Sequence, residues 1–176
     1  YHYGRLLRDH DDPVAAMQVF INGSHSRTHD YHILGRVYSN MGTICHLANE
    51  FPLSYDMYSR SANMFLRNGD TINYYYGLNN MASELTENRD FEKALYLLDS
   101  IKNSCKYHSV LSKINETRII LFKHTHQYDS ILYYFDSIPS YINNEPLVLI
   151  SKAQAFCYLH QYDSATHYAE LTLQMS

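Results

Sequence analysis

The chain has no tryptophan, and only three cysteines, four prolines and six glycines among its 176 residues. Cys45, Cys105 and Cys157 are odd in number, far apart and never in a Cys-x-x-Cys pair. That excludes a disulfide-built secreted domain and leaves free thiols in or near helices. The sparse glycines form neither a phosphate-cradling loop nor the strained turn that presents a nucleophilic serine or cysteine. Lysine and arginine are not clustered, and a net charge of −4 at pH 7 offers no basic face to nucleic acid. No apolar run approaches a membrane-spanning length, no targeting segment is visible, and no stretch alternates like a strand. Both a cytoplasmic and a periplasmic setting stay open.

What is present is repetition. His126-Gln127-Tyr128-Asp129-Ser130 recurs letter for letter as His160-Gln161-Tyr162-Asp163-Ser164, 34 residues later. Self-similarity at that period marks stacked helix-turn-helix units. From each tyrosine an apolar residue follows at +3 and +7, Ile131 and Phe135 in one copy, Ala165 and Ala169 in the other. That spacing draws one stripe along a helix. The frame extends back to Phe91 with Ala94 and Leu98, Phe51 with Ser54 and Tyr58, and Pro13 with Ala16 and Phe20. The anchors 13, 51, 91, 128 and 162 are 38, 40, 37 and 34 residues apart. Five near-equal units therefore cover the chain, at about 1–27, 28–69, 70–108, 109–143 and 144–176. Each anchor is expected to open the second helix of a pair. Asn68-Gly69 predicts a helix end with a left-handed residue, Asp70 a cap for the next helix, Pro52 and Pro146 first-turn positions, and Pro139 a helix exit. Ala16, Gly42, Ala82, Ala94, Ala153 and Ala165 are small enough to let helices cross closely.

Upstream of Phe51 the chain reads Tyr31-x-x-Leu34-Gly35-x-x-Tyr38 and, overlapping it, Tyr38-x-x-Met41-Gly42-x-x-Cys45. Both resemble the tetratricopeptide (TPR) pattern, Trp-x-x-Leu-Gly-x-x-Tyr followed by Ala-x-x-x-Phe, with tyrosine for tryptophan. The match starting at Tyr38 is preferred, because Ser54 and Tyr58 then take the places of the small residue and the aromatic. The fourth unit departs, with Arg118 and Ile119 for Leu-Gly and Ile131 for Ala. The resemblance implies an all-α fold, a right-handed α-α superhelix (TPR-like solenoid) of about five helical hairpins. Residues 1–176 would be one repeat domain, a fragment of a longer chain. It also implies a non-enzymatic scaffold that grips a protein or peptide on its concave face. Arg36, Asn79, Asn80, Ser83, Lys113, Glu116 and Gln154 are expected to line that groove. Asn80 and Lys113 match two positions of the clamp with which some TPR domains hold a terminal carboxylate; Ser39, Thr43 and Thr117 occupy the other three. The Tyr- and Asn-rich composition and the opening Tyr3-Gly4-Arg5-Leu6-Leu7-Arg8-Asp9 also resemble bacterial multi-TPR proteins. That implies an alternative, a sensory or regulatory segment of a larger signalling, transcription-regulator or envelope protein.

Eighteen tyrosines fit the packing positions of the units better than a recognition surface, although Tyr74, Tyr75 and Tyr76 cannot all face inward on one helix, so at least one is expected to be exposed. Eleven histidines raise the question of a metal. His25, His29 and His32 are close, but no carboxylate or thiol except Asp30 follows at ligand spacing, and His124 and His126 diverge on a helix. Asp129 and Asp163 are accounted for by the helix N-terminal dipole. No catalytic residue, cofactor or metal is assigned. The expected partner is a protein or peptide, with neither direct nucleic-acid contact nor membrane insertion by this segment. Pairing of end helices in a homodimer is a third reading.

Overall fold

The computed structural model describes residues 2–9, 12–25, 30–137 and 146–174; Pro139 and His29 lie outside them. The described residues form helices and short connections, without strands. In chain order the helices are α1 (His2–Asp9), α2 (Pro13–Ser24), α3 (Tyr31–Leu47), α4 (Phe51–Arg67), α5 (Thr71–Glu87), α6 (Phe91–Ser104), α7 (His108–His124), α8 (Tyr128–Ser137), α9 (Pro146–Tyr158) and α10 (Tyr162–Leu173). Every anchor residue, Pro13, Phe51, Phe91, Tyr128 and Tyr162, opens a helix.

The turns share one grammar. Asn49, Gly69, Arg89, His126 and His160 have φ between 55° and 74°, the left-handed conformation. At each, the next residue's N–H closes a six-to-one bond onto the ended helix: Glu50 onto Cys45 O at 2.9 Å, Asp70 onto Phe65 O at 2.9 Å, Asp90 onto Leu85 O at 2.8 Å, and Gln127 and Gln161 onto Phe122 O and Phe156 O at 2.9 Å. This is the Schellman ending, which satisfies carbonyls that a helix leaves orphaned. Asp12, Asp30 and Asp70 cap the following helices by accepting from Ala15 N, Ile33 N and Asn73 N at 3.0, 3.0 and 3.2 Å. The duplicated pentapeptide is thus a turn. His126 and His160 are its left-handed residues, and their Nδ1 atoms lie 3.3 and 3.0 Å from the hydroxyls of Tyr128 and Tyr162.

The chain forms two compact units, Tyr1–Lys113 and Ile114–Ser176, with the division inside α7. In the first unit each helix packs on the next in sequence. At the α3–α4 crossing, the Ser54 hydroxyl donates to Gly42 O at 2.9 Å, and the Tyr58 ring lies 2.9 Å from where a Gly42 Cβ would be. Seven residues on, Ser61 donates to Gly35 O at 2.8 Å and the Phe65 ring fills the space beside Gly35. The overlapping motifs at Tyr31 and Tyr38 are therefore two layers of one antiparallel crossing. Gly77 on α5 abuts Ala62 on α4, where a Cβ would come within 2.9 Å of Ala62 Cβ and 3.2 Å of its Cα. Ala16, Ala82 and Ala94 are fully buried; Ala153 and Ala165 are half-buried. Phe20, Val37, Met41, Ile44, Cys45 and Met57 form a continuous core, each large side chain stabilising the fold by roughly 1.5–3 kcal/mol.

The second unit packs differently. Ile119 on α7 and Ile131 on α8, the departures from the small-residue pattern, are both buried in one cluster with Tyr134, Phe135, Val148 and Ala155. Tyr134 donates to the Asn115 side chain and carries the Arg118 guanidinium over its ring at 5.1 Å. Lys152 lies 5.2 Å from the rings of both Phe135 and Tyr168. Of the thiols, Cys45 and Cys105 are buried and Cys157 is exposed.

Candidate functional site

A polar cleft of 130 Å³ opens between α3 and α5 in the first unit. Its walls are Arg36, Ser39 and Asn40 from α3 and Asn73, Tyr76 and Asn80 from α5; the buried Ser61 and Phe65 of α4 close its floor. Arg36 lies three and four residues before Ser39 and Asn40, and Asn73, Tyr76 and Asn80 are three and four apart, so each wall is one helix face. The amides are oriented by their own helices and neighbours. Asn40 Nδ2 donates to Arg36 O at 2.7 Å and its Oδ1 accepts from the Arg8 guanidinium, while Asn73 Nδ2 donates to Asp70 Oδ2 at 2.8 Å. The volume decides what fits. Small-molecule pockets run to about 300–1,000 Å³, so this cleft is smaller than such a site.

Of the residues expected in the groove, Arg36 and Asn80 come together here. Ser83 is half-buried on α5 and Lys113 exposed on α7 within the first unit; Glu116 is half-buried and Gln154 exposed in the second. Asn79 is corrected. It is only 2 % exposed, because it shares with Ala82 and Thr86 the stripe of α5 that faces the core, and its Oδ1 meets no donor among the described residues. Two further clamp positions turn inward as well: Thr43 donates to Ser39 O at 3.1 Å and lies 3.2 Å from the Tyr58 hydroxyl, and Thr117 is buried. Tyr74, Tyr75 and Tyr76 are each half-buried, so none is the exposed ring expected of that run.

Two carboxylates, Asp70 and Glu84, flank the α5 wall in sequence. Burial pushes the Glu84 carboxyl up, against hydrogen bonding from His46 and Ser54. Burial also raises Asp70, but the Asn73 donors and His32 outweigh it and hold that carboxyl below its ordinary value. Neither histidine pair was visible in the sequence, where the partners stand 38 residues apart, near but not equal to the 40 residues between the anchors Phe51 and Phe91.

Lys123 Nζ lies 3.3 Å from Ser151 Oγ, and burial lowers the ammonium, the polarity of a serine–lysine pair. Ser151 is, however, fully buried. An apolar groove of 670 Å³ runs along Pro13, Val14, Met17, Ile21, Ile44 and Leu47. Among the described residues no group of three His, Cys, Asp or Glu side chains is placed to hold a metal, and no helix is long and apolar enough to cross a membrane. Compared with known protein families, curated proteins and solved structures, the chain matches none.

Proposed function

We propose that the chain is a non-enzymatic interaction scaffold of TPR type, a right-handed solenoid of helical hairpins that holds an extended peptide against the first helices of its units. The observation that carries this is the cleft between α3 and α5, where Arg36 and Asn80 face one another across a space sized for a single side chain. Its walls offer both amide donors and acceptors, the complement of a peptide backbone, and Arg36 adds a charged donor for an acidic or carboxylate group. The small volume and the buried Ser151 both weigh against turnover of a small substrate at the sites described.

The test uses the whole chain to select from a random library of displayed 12-residue peptides. Selected peptides are expected to bind Arg36→Ala and Asn80→Ala at least about tenfold more weakly, with unchanged melting, the cost of a lost charge-assisted bond in a partly buried site. Gln154→Ala is the control and should bind as the parent does. Peptides that bind all three variants equally, or a library that yields none above background, would overturn the proposal.

A further inference from the structure

Two histidine–carboxylate bridges join the same pair of helices. His32 Nδ1 on α3 lies 3.3 Å from Oδ2 of Asp70, which caps α5, and His46 Nδ1 lies 3.0 Å from Oε1 of Glu84. Both partners are separated by 38 residues, so α3 and α5 run parallel in register, and the bridges stand 14 residues apart along each. At a rise of about 1.5 Å per residue that is roughly 21 Å. Every wall residue of the cleft lies between them. Arg36 follows His32 by four residues and Asn80 precedes Glu84 by four, each one helical turn from a bridge.

The two ends differ in what surrounds the acid. The Glu84 side chain is 3 % exposed and that of Asp70 is 21 %. Glu84 faces His46 and Cys45 from α3, Ser54 and Tyr58 from α4, and Glu87 on its own helix. Of those groups only His46 carries a positive charge; Glu50, beside Cys45, adds negative charge, and Arg8 of α1 acts on Tyr58. The Phe51 ring lies 6.0 Å from His46 and shields that side. Asp70 faces His32, whose ring meets Phe65 edge-on, and keeps two donors from Asn73 whatever the charge on His32.

We propose that His46–Glu84 is a pH-sensitive clasp between α3 and α5 which loosens as the pH rises, while His32–Asp70 at the other end of the cleft stays closed. As the pH rises Glu84 ionises in a site that water barely reaches, the costly condition for a carboxylate even beside His46. At the Asp70 end, water and the two Asn73 donors satisfy the carboxylate. The direction of the Glu84 shift agrees: an acid raised in the folded state contributes stability below its unfolded value and loses it as pH rises through the raised value. Loosening at Glu84 widens the Asn80 end of the cleft. That consequence rests on the proposed binding role; the clasp itself does not.

The experiment is amide hydrogen exchange on the whole chain from about pH 4.3, the ordinary glutamate value, up to about pH 8, corrected for intrinsic exchange. Protection of residues 40–47 and 80–87 is expected to fall about tenfold, one unit of proton linkage, while residues 31–36 and 71–76 hold. Glu84→Gln, which keeps the shape and removes the charge, should abolish the fall. Alongside it, carbon-detected titration of the wild-type Glu84 carboxyl needs no variant. It should show a midpoint above the ordinary glutamate value of about 4.3. A Glu84 midpoint at or below that value, or a pH-dependent loss of protection that survives Glu84→Gln, overturns the clasp. A clasp that titrates as expected while selected peptides bind equally well across the range upholds it and counts against the cleft instead.

Discussion

All six glycines lie at or before position 77, and residues 114–176 have none. The two compact units solve the same packing problem in opposite ways as a result. In the first, α3 and α4 approach through Gly35 and Gly42, with serine hydroxyls on the exposed carbonyls and aromatic rings in the gaps. In the second, Ile119 and Ile131 occupy the corresponding places and fill the space with methyl groups. One stripe periodicity thus supports both a close crossing and a filled one. A motif defined by its glycine sees only the first, which is why the fourth unit looked irregular in sequence although its residues are in the core.

The sharpest way to break the comparison is to put a charge at equivalent stripe positions. Ala94 is fully buried on α6, whereas Ala165 on α10 is half-buried, with α9 its main packing neighbour among the described helices. Ala94→Asp is expected to cost about 4 kcal/mol, the order of an unpaired buried charge. Ala165→Asp should stay within about 1 kcal/mol, because water still reaches the carboxylate. Urea unfolding of the two variants measures both. Equal costs would mean that the two units bury the stripe alike.

The crossings can then be reversed in size. Ile131→Ala empties a filled crossing and should cost about 3 kcal/mol. Gly77→Ala overfills a close one and should cost about 1–2 kcal/mol, although alanine ordinarily favours a helix by about 1 kcal/mol. The obstacle is the Ala62 backbone, which cannot rotate aside as a ring can. A Gly77→Ala protein that melts higher than the parent would show that α4 and α5 are not in that contact.

Much of this was legible in the sequence because it is local. The five helix starts, the left-handed turn at Gly69 and the cap at Asp70 each depend on residues whose spacing is fixed by one or two helical turns, and the Gly42–Ser54 crossing spans only 12 residues. Side-chain direction was harder. Asn79 is polar and was expected on the open face, but tertiary packing placed it on the buried stripe beside Asn80, which does line the cleft. One residue of helix is a rotation of about 100°, so a small error in phase exchanges core for surface. The bridges to Asp70 and Glu84 were beyond reach for a different reason. A contact across 38 residues leaves no local pattern in the sequence.

A smaller test separates the two acids that face α3. Asp70→Ala removes a cap that accepts from Asn73 N at 3.2 Å and should cost about 1 kcal/mol at neutral pH. Asp70 is held below its ordinary value, so its contribution is present above the unfolded value of about 3.9 and is lost as pH falls through the folded one. Thermal melts of parent and variant should therefore converge on acidification below about pH 4, whereas parent and Glu84→Gln should diverge as pH rises. Convergence in the same direction for both pairs would remove the distinction between an exposed and a buried acid at this interface.

The smallest expected effect concerns the turns, which the two units share. Gly69 adopts φ of 74° at no steric cost, while Arg89 and His126 hold the same conformation with side chains, at 63° and 55°. An L-residue in that region costs roughly 1–2 kcal/mol, and glycine gives back about half of any gain through the freer unfolded chain. Arg89→Gly is thus expected to stabilise by about 0.5 kcal/mol, and Gly69→Ala to destabilise by about 1 kcal/mol. Opposite signs at two turns with the same hydrogen bonds would show that the backbone conformation, not the side chain, is what each turn requires. His126→Gly adds a discriminating case, because it also removes the contact with the Tyr128 hydroxyl. If it stabilises less than Arg89→Gly by a few tenths of a kcal/mol, the duplicated histidine contributes a weak bond to its turn. If the two gain equally, the histidine is tolerated at that position rather than required by it.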